Sequence, residues 1–137
     1  MNILELRNAI IQYIYNNWTS TPIAYPGKDF NPATQAPKGE WIRVNILRGD
    51  AFVGEPVNNG AGHRRGVLHF GLCMPRNQGD IASDTYVAEL EELFNMKEVN
   101  GVLFDMLNIG NREVDEYGVY YTPISIPFSC LINCDTE

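Results

Sequence analysis

The sequence predicts an α+β fold of two layers, with two helices packed on one face of a mostly antiparallel sheet. Three observations carry this expectation. Residues 3–18 and 80–94 each show an apolar stripe at helical spacing, whereas 41–47, 63–74 and 117–132 alternate with the period of two that marks strands. The apolar faces so defined are wide enough to need each other, and two helices against one sheet bury them most economically.

The first helix has Leu6, Ile10, Ile14 and Trp18 on one side and Arg7, Asn8, Gln12 and Asn16 away from it. Asn2 followed by Glu5 has capping-box spacing, which predicts a start at Asn2. Thr19-Ser20-Thr21-Pro22 predicts the stop near Asn17, because the hydroxyls compete for backbone partners and proline disfavours helix before it. Ile23-Ala24-Tyr25 reads as a short strand. Residues 26–39 hold three prolines and two glycines and read as a connection.

In residues 41–47, Ile42, Val44 and Ile46 alternate with Arg43 and Asn45, so one strand face is core and the other wet. Residues 48–62 carry four glycines and lose that alternation, which predicts a long hairpin loop over 48–66. From His63 to Met74, Leu68, Phe70, Leu72 and Met74 share one face, and Val67, His69, Gly71 and Cys73 the other. Both faces are largely apolar, as expected of a central strand or one covered on both sides by assembly. The second helix is capped at Asp80 or Ser83, buries Tyr86, Val87, Leu90, Leu93 and Phe94, and turns Glu89, Glu91 and Glu92 to water. Val102-Leu103-Phe104, with Met106 and Leu107, reads as a further strand.

Tyr120, Thr122, Ile124, Ile126, Phe128 and Cys130 look inward from the last strand, while Pro123 and Pro127 both fall on odd positions. Alternate residues of an antiparallel strand address opposite neighbours, so two missing N–H groups weaken pairing on one side only. This predicts an edge strand or one that changes partner along its length.

The 137 residues are enough for one domain with an ordinary core. Seventeen acidic against ten basic side chains leave a net charge of −7, which argues against the phosphate backbone of nucleic acid as a main partner. No run approaches a membrane span, no signal peptide is recognised, and three cysteines fit a reducing compartment.

The motifs that resemble chemistry are weak. His69 and Cys73 share a strand face but lie roughly 13 Å apart along it, too far for one to activate the other. Cys130 and Cys134 lack a second pair to complete a zinc site. Residues 60–66 resemble a phosphate-cradling loop, but they lead into a strand where both nucleotide motifs require a helix. Arg48-Gly49-Asp50 and the Asn17-Trp18-Thr19 sequon are chance-level matches, and the acidic runs read as solvated faces. No catalytic, cofactor-binding or metal site is assigned. Arg48, Arg64 and Arg65 instead give one end of the hairpin a positive charge suited to an acidic protein surface.

Taken together, the opening helix, Thr21-Pro22-Ile23-Ala24-Tyr25-Pro26, Trp41-Ile42-Arg43-Val44, Arg64-Arg65-Gly66 before Val67-Leu68-His69-Phe70, Leu90 with Leu93-Phe94, and residues 120–128 resemble the tail terminator proteins of long-tailed bacteriophages. The resemblance implies a ring-forming subunit, typically of a hexamer, that caps the finished tail tube, halts polymerisation of the major tail tube protein and offers a surface to the head-tail connector protein. It implies no enzyme activity and no cofactor, and DNA passing through the lumen without specific binding. It places the protein in host cytoplasm during assembly and then in the virion tail. On this reading Arg48, Asp50, Phe52, Arg64 and Arg65 are the protein-contact residues. Pro123 and Pro127 depart from what sheet addition by a neighbour along that side needs. A tail completion or neck protein binding the head connector is the alternative, and a small metal- or nucleotide-dependent enzyme the third reading.

Overall fold

A computed structural model describes residues 2–53, 62–75, 80–114 and 119–132, with only the backbone described at 50–53, 80, 131 and 132. In chain order the elements are α1 (Ile3–Asn17), β1 (Ile23–Ala24), α2 (Pro32–Gln35), β2 (Trp41–Val53), β3 (Gly62–Met74), α3 (Asp80–Phe94), β4 (Glu98–Val99), β5 (Val102–Phe104), β6 (Asn108–Ile109), β7 (Glu113–Val114) and β8 (Tyr120–Ile132).

The start of α1 is the expected capping box. Asn2 Oδ1 accepts from the Glu5 N–H at 2.8 Å, and the Glu5 carboxylate accepts from the Asn2 N–H at 3.1 Å. At the other end the Trp18 N–H still reaches the Ile14 carbonyl at 2.8 Å, and its indole N–H donates to Thr21 Oγ1 at 2.9 Å. The turn that breaks the helix thus keeps a large aromatic in the core with its polar atom satisfied.

The eight-stranded sheet has the order β1-β2-β3-β8-β5-β4, with β6 and β7 also paired to β8. Every pairing is antiparallel except β1 with β2, so the sheet is mixed. Leu6, Ile10 and Ile14 of α1 and Val87, Leu90 and Phe94 of α3 share one core with Ile42, Val44, Leu68, Phe70, Leu72, Ile124, Ile126 and Phe128. Both long helices therefore cover the same sheet face, as expected. Edge-on and tilted ring contacts run from Tyr13 through Phe94 to Phe70, Phe104 and Phe128, with centroids 5.1–6.2 Å apart. The Tyr13 hydroxyl also donates to the Leu93 carbonyl at 2.7 Å, pinning α1 to the end of α3.

Several expectations need correcting. The hairpin loop does not span 48–66: β2 continues to Val53 and β3 begins at Gly62, leaving 54–61 outside the described residues. Alternation fails over 48–53 because the register slips between Arg48 and Ala51, a bulge that moves side chains off their expected faces without ending the strand. The connection over 26–39 contains the one-turn α2, with Asn31 Oδ1 accepting from the Ala33 N–H and Pro32 at the first position, where its missing N–H costs nothing. Ser83 is no cap; it lies buried within α3. Met106 and Leu107 fall outside β5, which ends at Phe104.

The last strand is not an edge. It runs beside β3 along its whole length and on its other side meets β5, β6 and β7 in turn, the second of the two outcomes its prolines predicted. The Pro123 carbonyl accepts from the Gly110 N–H and the Pro127 carbonyl from the Asp105 N–H, each at 2.8 Å. Both missing N–H groups therefore face the patched side. The Asp105 carbonyl, deprived of a proline donor, accepts instead from the Met96 N–H at 3.2 Å.

Gly66 shows how closely β3 and β8 approach. A Cβ there would lie 2.4 Å from the Phe128 ring and 2.5 Å from the Leu47 carbonyl oxygen. We predict that Gly66→Ala costs about 1–3 kcal/mol in urea unfolding. Adding Phe128→Leu should return part of that loss as a coupling energy, whereas strictly additive losses would show that the ring is not the obstacle.

Candidate assembly surfaces

Consecutive side chains on a strand point to opposite faces, and this governs where the basic hairpin residues lie. Arg64 pairs with Ala51 and Cys130 and has the parity of Leu68 and Phe70, so it stands on the helix-covered face. It is half-buried, and its Nε is buried without a hydrogen-bond partner. Arg65 is exposed on the opposite face beside Gly49. Arg48 is exposed and opposite Gly66. The structure thus separates Arg64 from Arg65, adjacent though they are in sequence. Asp50 and Phe52 belong to β2, and their side chains lie outside the description.

The face away from the long helices is divided. At one end Phe30 stacks on Trp41 with centroids 4.9 Å apart, and Trp41, Cys73 and Tyr121 form one row across three strands. With Arg43 and Glu113 these residues line a groove of about 570 Å³. The Arg43 guanidinium sits 5.2 Å from the centre of the Trp41 ring. The next rows, Asn45–His69–Ser125 and Leu47–Val67–Pro127, lie on the same face without a helix over them. Burial lowers the His69 pKa and the Arg43 charge lowers it further, so the imidazole is neutral at neutral pH.

A second groove, of about 430 Å³, lies between the segment after α1 and α3 and is lined by Ser20, Thr21, Pro37, Lys38, Glu40 and Tyr86. The Tyr86 hydroxyl donates to the Glu40 carboxylate, tying α3 to the residue before β2. That bond, with burial and the charges of Glu40 and Glu89 behind it, pushes the Tyr86 pKa up to about 12. In the same groove the Ser20 hydroxyl donates to the Glu89 carboxylate at 2.5 Å, a second bond across the gap to α3. Among the described residues, no group of three or more His, Cys, Asp or Glu could hold a metal ion.

Sequence reasoning found β5 at the far margin of the sheet but missed β4, β6 and β7. Leu103, Met106, Ile109 and Val114 are 52–61% exposed, and all belong to the short segments that patch β8. Their signal was weak, because two- and three-residue strands show no periodicity of their own.

Open strand edges, an apolar margin and scattered charge are the surfaces of a protein that works by contact with other proteins. Residues 5–128 match the model of the phage tail terminator protein family, and the chain belongs to that family of structural virion proteins. No curated protein sequence matches it. Among solved structures, one without a descriptive name superposes with a TM-score of 0.73 at 18% identity, covering 98% of this chain and 99% of that one. A chain from the virion of a native gene transfer agent particle has a TM-score of 0.57 at 9% identity, with 93% and 95% covered. At these identities the likeness is one of fold.

Because Tyr86 titrates above the ordinary value of 10.0, its neutral form is favoured by folding; that stabilisation is complete below pH 10 and is lost as pH rises through about 12. A difference ultraviolet titration of the wild type against Tyr86→Phe should remove an ionisation step near pH 12. A lost step near pH 10 would contradict the Glu40 bond.

Proposed function

We propose that this chain forms a ring on the end of the completed tail tube, where it stops further addition of tube protein and presents the surface that receives the head connector. The family match over residues 5–128 carries this reading. The fold supports it, since a closed ring needs two different contact surfaces on each subunit, and the sheet has two unlike margins. We further propose a single-domain subunit, typically six to the ring, with the distal part of the β2–β3 hairpin meeting the tube or the neighbouring subunit through Arg48, Asp50, Phe52, Arg64 and Arg65. The chain's net charge of −7 suits a lumen through which DNA passes without adhering, because phosphates are repelled within a Debye length of about 8 Å.

Electron microscopy of particles lacking the protein tests the role. Overlong tails without heads are expected; tails of normal length that fail to join heads would assign the protein to the neck instead. With the protein restored, Arg64→Glu/Arg65→Glu should leave tail lengths unregulated. Normal capping by that variant would remove both arginines from the contact.

A further inference from the structure

The two margins of the sheet differ in backbone as well as in side chains. On the first, β1 pairs only with Ile42 and Arg43, although β2 continues ten residues further to Val53. The Ile42 N–H reaches outward to the Pro22 carbonyl at 3.0 Å, so by alternation the amides of Ile46 and Arg48 also point away from β3. Among the described residues no strand pairs with them. On the second margin, β6 and β7 are bonded to β8 on one side. The Gly110 N–H points to β8, so by the same alternation the Ile109 amide faces outward, next to its own exposed side chain. An open edge beside exposed apolar side chains is a template for another strand, and monomeric proteins normally blunt such edges.

Charge distinguishes the margins too. Exposed Arg43, Arg48 and Lys28 lie along the first, against Asp29. Exposed Glu98, Asp105 and Glu113 lie along the second, against Lys97 and an Arg112 whose guanidinium is stacked over Tyr120 at 4.8 Å. Among the described side chains the first margin is net basic and the second net acidic.

From these features we infer that the β2 edge of one copy pairs with the β6–β7 margin of the next, carrying the sheet from subunit to subunit. The occupant of each margin is a second copy of this chain. The contact is head-to-tail: Arg48 faces the acidic margin, and Leu103, Met106, Ile109 and Val114 are covered by the neighbour. It rests on the ring-subunit reading and specifies which surfaces close the ring. The Arg64 and Arg65 end of the hairpin remains available to the tube.

The test uses two variants of the full chain, each disabled on one margin. Ile109→Lys/Val114→Lys places charge where the side chains are already more than half exposed, so the fold is retained. Arg48→Pro removes an outward N–H that the β2–β3 ladder does not use; Arg48→Glu serves if the proline variant melts early. By native mass spectrometry the wild type should form a closed oligomer and each variant alone a monomer. A mixture of the two should give dimers and nothing larger, because only one good margin of each kind is present.

Rings of wild-type size from either variant would overturn the inference while leaving the proposed function standing. Dimers from one variant alone would overturn it as well, since they would mean a two-fold contact of a margin with itself. A wild type that stays monomeric both alone and with assembled tail tubes would overturn the inference and the ring-subunit reading together.

Discussion

Everything in this sheet depends on β8 being able to pair fully on only one side. Its even-numbered residues face the core and its odd-numbered positions include Pro123 and Pro127, whose carbonyls address the side away from β3. The ladder to β3 is therefore unbroken, and the other side can be joined only by short pieces. Three 13-residue strands, β2, β3 and β8, follow as the body of the sheet, and β5, β6 and β7 as its border.

That asymmetry reaches the core and the surface alike. The unbroken ladders hold Leu68, Phe70, Leu72, Ile124 and Ile126 in register beneath α1 and α3. The short segments beyond β8 bury Val102 and Phe104 but leave Leu103, Met106, Ile109 and Val114 half in water. A monomeric enzyme would pay for such a margin in solubility; in a family of structural virion proteins it is available for assembly.

How much of this was legible follows from how each element is determined. Local rules governed α1, its Asn2–Glu5 cap and the inward face of β8, and these are read directly from residue spacing. The continuation of β2 to Val53 was hidden because Gly49 and the bulge break alternation while the cross-strand ladder goes on. In α2, Asn31-Pro32 is a sound helix start, but the surrounding prolines and glycines outweigh a single turn. Strands β6 and β7 exist because β8 offers a partner, and no local pattern announces them. The contact residues suffered from the same limit, since Arg64 and Arg65 are neighbours in the chain but lie on opposite faces of the sheet.

The prolines of β8 also set how the border of the sheet is held. The β3–β8 ladder is continuous and the β2–β3 ladder is interrupted at the Arg48–Ala51 bulge, whereas the border beyond β8 has few backbone bonds, including those from Gly110 and Asp105 to the proline carbonyls. What the border lacks in backbone bonds it makes up in side chains, since Val102 and Phe104 of β5 are buried in the core with α1 and α3 and the Phe104 ring meets Phe94 and Phe128.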